Sequence, residues 1–243
     1  MKKAIGYVYV IAAAVCWGFL GLFNRVLTAA GVSLLNMMPL RFGGTAILFT
    51  VFCMMFKQQV FHIKLRHLPI FLGSGLISML LVLCGCALVS GIVGSDVGIS
   101  LEGLLMGLAS ELCYGGYTIF TPYGMRYCDS FTMAYWTFLI AGIASLFLAD
   151  GPALLSALAE PRTGLAALGL MVMGTALPFT LYTKGLETVE SGKAAIIANI
   201  EPVMSAVIGV TVFQETLGLW TLVGIVLVLA GVVVLACEKE PDK

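Results

Sequence analysis

The chain has 243 residues, 60% of them hydrophobic and 11% charged, against roughly 25% charged and 45 to 50% apolar in an ordinary soluble domain. Thirteen Lys and Arg balance thirteen Asp and Glu, so nothing suggests an electrostatic nucleic-acid binder, whose footprint is a basic patch or stripe. Apolar runs near the ~20 residues a helix needs to span hydrocarbon recur along the whole chain, so the composition describes an all-α polytopic membrane protein.

In chain order, charges and turn residues divide the sequence into eight predicted transmembrane helices, at about 4–27, 34–56, 68–93, 99–121, 130–149, 164–186, 193–213 and 218–237. The first follows Met1-Lys2-Lys3, and its apolar run outlasts a signal-peptide core, so it is read as a retained helix. An even number sets both termini on one side. With loops assigned alternately, that side receives ten Lys and Arg, from Lys2 to Lys243, and the opposite side's long loop only Arg162. The positive-inside rule then places both termini in the cytoplasm, with the chain a multi-pass protein of the plasma (inner) membrane. Arg25 and Arg41 are the exceptions, and Arg25 can snorkel to the interface.

Seven Cys lie mostly inside apolar runs, where a thiol packs as a small hydrophobe. His62 and His67, the two histidines, share one basic loop. No ligand spacing of the known kinds is present, so neither a metal nor a cofactor is expected. No predicted helix holds a His to act as base and no Gly-rich loop ends in Lys-Ser or Lys-Thr, so an enzyme is not expected either.

Internal similarity is informative. A shift of 97 residues sets Ala12, Cys16, Gly18 and Phe23 on Ala109, Cys113, Gly115 and Phe120, with Trp17 on Tyr114 and Ser33 on Ser130. Leu72-Gly73 falls on Leu168-Gly169 at a shift of 96, but Leu81 to Gly85 matches Leu227 to Gly231 at a shift of 146. The register thus jumps by 49 residues between the first-repeat shift of 97 and the last of 146. The run Leu68 to Val93 therefore reads as the front of a third helix joined to the back of a fifth. Residues 1–98 form a shortened repeat and 99–243 a complete, inverted five-helix repeat, an inverted-repeat helical bundle with a ten-helix parent architecture. At 1.5 Å rise the fused run would be about 39 Å long, beyond the roughly 30 Å hydrocarbon core. A kink near Ser78 to Leu81 is predicted, beside an apolar groove filled by lipid, by a second protomer in a homodimer, or by inward collapse.

The last two predicted helices carry Asn199-Ile200-Glu201-Pro202-Val203, then Phe213-Gln214-Glu215-Thr216-Leu217, then Gly224 and Gly231. Trp17-Gly18, Asn24, Arg41-Phe42 and the loop Glu187 to Lys193 add weaker matches. The chain resembles the EamA-type branch of the drug/metabolite transporter superfamily. That resemblance implies ten helices around a central site and the export or exchange of small metabolites by alternating access.

Charges buried in hydrocarbon, at about 2.5 kcal/mol or more each, select the candidate site residues. Glu111 forms one polar stripe with Tyr114 and Thr118; it faces a cavity, or it is a protonated group bonded to a neighbouring helix. Glu201 precedes Pro202 near mid-helix, where the missing N–H frees carbonyls; such broken helices form binding sites in transporters, or Glu201 caps the irregularity. Asn199 shares that position. Arg41 neutralises a carboxylate substrate, pairs with Glu111 or Glu201, or snorkels. Trp17 and Tyr182, the latter on one face with Thr175 and Pro178, line a pocket or pack between helices. Lys184 and Glu187 make a surface pair. Gly103, Gly107, Gly224 and Gly231 mark close helix approaches. Two functions remain: a secondary transporter of small organic metabolites such as amino acids or drugs, and a membrane-inserted remnant that does not transport.

The loop bias generates a topology test. A cysteine placed at Ala157 should react with a membrane-impermeant maleimide from outside intact cells, and one at Lys64 should not; the reverse pattern overturns the orientation.

Overall fold

The computed structural model describes residues 2–63, 67–74 and 101–237. Among them all regular structure is helical, and four segments are long and apolar enough to cross a bilayer: Lys3–Ala29, Leu35–Phe56, Pro161–Gly185 and Ser191–Phe213. The first comprises α1 (Lys2–Gly18) and α2 (Leu20–Ala29). The second comprises α3 (Leu34–Met38), a π-helical turn Pro39–Gly43, and α4 (Gly44–Phe56). Then come α5 (Leu101–Gly124), α6 (Ser130–Ser145) and the short α7 (Gly151–Leu158). The third segment is α8 (Pro161–Met171), a second π-turn Val172–Ala176 and α9 (Leu177–Gly185); the fourth is α10 (Ser191–Ala198) with α11 (Ile200–Phe213). The chain's last described helix is α12 (Leu219–Cys237). Residues 68–74 are helical. The rest of the Leu68 to Val93 run, with the predicted kink near Ser78 to Leu81, lies outside the described residues.

Local chemistry explains the boundaries. The Ser33 hydroxyl accepts from Asn36 N at 3.2 Å and Asp129 Oδ1 from Thr132 N at 3.3 Å, each satisfying an orphan donor at a helix start. The segment Asp150 to Arg162, predicted as a loop, contains α7. Asp150 accepts from Ala153 N and Pro152 occupies the first turn, so residues taken as turn formers are instead an N-cap and an N-terminal proline. Gln214 closes α11 in the left-handed region, at φ 56°.

The alternating order of helices is visible in what meets at each end. Lys57 Nζ pairs with Asp129 Oδ2 at 2.8 Å, and Trp136 Nε1 donates to Val60 O at 2.9 Å, at the end that holds the N-terminus. Burial raises the Asp129 carboxyl, but bonds from Lys57 and Thr132 and the Lys57 charge outweigh it and hold it below the usual carboxylate range. Burial, then the Asp129 charge, pushes the neighbouring Cys128 thiol up to about 11. At the opposite end Asp150 N donates to Asn36 Oδ1 at 2.7 Å, and Arg25 pairs with Glu215.

Packing depends on backbone approach. The α1–α9 interface is the most extensive. A Cβ on Gly185 would lie 2.5 Å from Val10 Cγ2 and 3.1 Å from Gly6 O. One on Gly142 of α6 would lie 3.1 Å from Gly43 Cα and from Phe42 O. Gly224 and Gly231, predicted at helix contacts, correct that expectation: a Cβ on either meets nothing within 4 Å. They sit on α12, whose large apolar side chains, such as Val226 and Leu227, are exposed along its length. The side chains around Gly103 and Gly107 lie outside the described residues.

Gly185→Leu should lower the Tm in detergent by an amount equivalent to about 1–3 kcal/mol, the usual overpacking penalty. Gly192→Ala, where a Cβ meets nothing within 4 Å, should leave it unchanged or raise it. Equal effects would show that the α1–α9 approach is not what holds the bundle.

Candidate functional site

Three helices contribute an aromatic group at mid-bundle: Trp17 from α1, Tyr114 and Tyr117 from α5, Phe179 and Tyr182 from α9. The Trp17 ring centroid lies 5.0 Å from Phe179 at an interplanar angle of 80°, 5.3 Å from Tyr182, and 6.3 Å from Tyr114 at 80°. These are edge-to-face and tilted contacts, the arrangement favoured by ring quadrupoles. Spacing puts the partners in register: Tyr114 and Tyr117 are three apart, as are Phe179 and Tyr182, so each pair shares a helix face.

The hydroxyls are divided. Tyr182 OH and Thr118 Oγ1 lie 3.1 Å apart, and Tyr117 OH and Thr183 Oγ1 3.0 Å apart. Trp17 Nε1 and Tyr114 OH, both buried, have no hydrogen-bond partner. Leaving such a group unsatisfied costs about 1–3 kcal/mol. Thus Tyr114, Thr118, Trp17 and Tyr182 are brought together as one site. Glu111 lies on α5, and its side chain is outside the described residues.

Glu201 lies at a helix break. α10 stops at Ala198 and α11 starts at Ile200. Between them Asn199 N makes a tightened bond to Ile196 O at 3.2 Å, and Pro202 has no N–H to give the carbonyl of Ala198. Asn199 is exposed, and its Nδ2 donates to Ala195 O at 3.2 Å, within its own helix. Glu201 is half-buried in the first turn of α11, where the helix dipole favours a carboxylate. Gly18 admits α11 to α1, since a Cβ there would lie 2.4 Å from Met204 Cβ.

Arg41 occupies the first π-turn. Its Nε donates to Thr175 Oγ1 at 3.1 Å, and Thr175 lies in the second π-turn, where its hydroxyl donates to Leu170 O at 2.9 Å. Thr45 Oγ1 donates to Met171 O at 3.2 Å beside them. Two π-turns, which displace the regular i→i−4 ladder and recur at functional sites, are therefore joined by one side-chain bond. The sequence reading missed both turns, although Pro39 opens the first and Pro178 follows the second. It also missed Tyr117 and Phe179, for which the three-residue spacing was the available signal. Arg25 pairs with Glu215, 190 residues away, and its guanidinium carbon lies 4.4 Å from the Phe213 ring centroid. Lys184 Nζ and Glu187 Oε2 do form the predicted pair, at 2.7 Å.

An apolar helical bundle with a Pro-broken helix and a central polar and aromatic group defines the class, an integral membrane protein built like a solute carrier. Residues 101–237 match the model of the EamA-like transporter family, and the chain belongs to that family. This membership sets it among transporters and not among enzymes. It is similar to an uncharacterized transporter of Archaeoglobus fulgidus, 31% identical over 136 residues that cover 54% of this chain and 47% of that protein. It is also similar to the uncharacterized transporter YwfM of Bacillus subtilis, 26% identical over 70% of this chain and 57% of the relative. A third relative is the multidrug resistance protein EbrB of Bacillus atrophaeus, 33% identical over 35% of this chain and 74% of that protein. The chain spans about half the length of the first two relatives.

Thr175→Val should destabilise the protein by about 1–3 kcal/mol, because it removes the Arg41 acceptor and the donor to Leu170 O together. Thr175→Ser, which keeps both, should fall within about 0.5 kcal/mol of the parent. Thermal unfolding of the two variants compares them; a Val variant as stable as the Ser variant would remove any role for the bond between the π-turns.

Proposed function

We propose that the chain is a secondary transporter, an exporter or exchanger of small organic metabolites such as amino acids or drugs, working by alternating access. The observation that carries this reading is the mid-span helix break at Asn199, with Glu201 beside it and the aromatic group of α1, α5 and α9 against it. Discontinuous helices present backbone dipoles and side chains to a solute at the bilayer midplane, and an ionisable group held there exchanges protons or balances charge. In this reading Glu201 and Glu111 couple flux to a gradient, and Arg41 tunes the charge of the site. Trp17, Tyr114 and Tyr182 form its walls, and Asn199 supplies its polar edge.

The name of the EbrB relative supports drugs as one candidate cargo. The two inverted repeats, 1–98 and 99–243, would supply the two moving bodies in the plasma membrane, with both termini cytoplasmic and a homodimer as one assembly. A second reading, a membrane-inserted remnant that does not transport, draws on the family match, which begins only at residue 101.

Flux tests both readings. In proteoliposomes with an imposed pH gradient, the parent should move at least one member of a panel of labelled amino acids and drugs. Glu201→Gln and Glu111→Gln should each abolish gradient-driven flux while inserting normally, because an amide keeps the shape and cannot titrate. Full flux in both variants would leave the two carboxylates structural; no flux in the parent would favour the remnant.

A further inference from the structure

Trp17 Nε1 and Tyr114 OH are buried and unpartnered, and they belong to rings in contact with each other. Trp17 itself is only 4% exposed. The two nearest tyrosine hydroxyls each have a threonine partner, Tyr182 OH with Thr118 Oγ1 and Tyr117 OH with Thr183 Oγ1. These same two residues superpose under the 97-residue shift that relates the two halves of the sequence. Positions related by an inverted repeat that also touch each other lie at the axis between the repeats, where a transporter holds its solute. The unmet demand is therefore placed where a ligand would be shared by both halves.

Its chemistry is directional. An indole N–H is a donor only, and a phenol can donate as well as accept, so an oxygen acceptor is the kind of group that either can bond. Phe179, at 5.0 Å from Trp17, and Tyr182, at 6.0 Å from Tyr114, give the surroundings an apolar, aromatic character. We propose that Trp17 Nε1 and Tyr114 OH form a subsite that hydrogen-bonds a carbonyl or carboxylate oxygen of a solute whose body is apolar. The proposal deepens the transport reading and rests on it for the identity of the bound molecule as cargo. The ligand-free protein carries the unsatisfied pair as a local instability, and binding removes it.

That sign makes the test. Tyr114→Phe deletes a hydroxyl that has no partner without changing the ring, so the Tm of the unliganded full-length protein should rise. The same variant should weaken binding of an acceptor by about five- to tenfold, the worth of one hydrogen bond, and Trp17→Phe should do the same or more. Three probes share a cyclohexyl body: cyclohexanecarboxamide, cyclohexanecarboxylate and cyclohexylmethylammonium, titrated calorimetrically into the protein in nanodiscs. At least one of the two acceptors should bind with this dependence on Tyr114; the ammonium, which can only donate, should show none. A fall in Tm for Tyr114→Phe would mean that the hydroxyl holds a permanent structural partner such as a buried water, and would overturn the proposal. So would acceptor binding that ignores both substitutions, equal use of Tyr114 by the ammonium, or no binding of any probe. Acceptor binding in a protein that shows no flux would sink the transport reading and leave the subsite standing; flux without acceptor binding would do the opposite.

Discussion

Helices in hydrocarbon gain nothing by leaving water, so what holds α1 in the bundle is how closely its neighbours can approach it. Gly6 and Gly185 let α1 and α9 meet nearly backbone to backbone, and Gly18 lets α11 in on another side, against Met204. Trp17 follows directly from this. It lies one residue before Gly18, so the approach that seats α11 also encloses the indole among rings from α5 and α9. The aromatic group and the position of Glu201 are consequences of where α1 lacks side chains. This is why overpacking at Gly185 is expected to act on the whole bundle and not on one contact.

Polar groups inside the bundle follow a second constraint, since lipid offers them no partners. Most solve it across helices or on their own backbone. Ser74 Oγ lies 2.7 Å from Thr137 Oγ1, Thr50 and Thr180 donate to the carbonyls four residues back at 2.7 Å each, and Ser191 Oγ donates to Thr118 O at 3.0 Å. The π-turns belong to the same economy. A widened turn displaces carbonyls from the regular ladder, and the Thr175 hydroxyl takes one of them, Leu170 O, while accepting from Arg41. Against this background three buried atoms among the described residues stand apart, Trp17 Nε1, Tyr114 OH and Thr121 Oγ1, and the first two belong to rings in contact.

Much of this architecture was legible because it is local. Apolar run length found the four described segments long enough to span, Pro202 marked the break at Asn199, and the i,i+3 spacing of Lys184 and Glu187 gave their pair. What escaped depends on partners distant in sequence or on backbone register. Nothing near Arg25 announces Glu215, and nothing near Arg41 announces Thr175, 134 residues on. Small residues were visible, but which of them face another helix was not: Gly224 and Gly231 stand on an outer helix, whereas Gly6 and Gly185 make the tightest contact. The stretch Asp150 to Arg162 was misread for a different reason, because Asp and Pro begin helices as readily as they form turns.

The two ends of the bundle are held by different physics, and under the transport reading this sets which opens more easily. At the N-terminal end α1 and α9 make a dry backbone contact, with Val10 fully buried and Val189 and Leu186 nearly so. Separating it exposes close-packed surface with no compensating partner. At the opposite end the Arg25–Glu215 pair is about half exposed, with side-chain accessibilities of 52% and 48%, and pairs of that kind contribute only about 0–1 kcal/mol. Glu215 is also tethered to its own helix by a bond from its N–H to Gly209 O at 3.1 Å, so it can release Arg25 without unravelling α11. Along the first spanning segment Trp17 lies between these two contacts. A rocking motion would therefore break the exposed ion pair first and turn about the glycine seam.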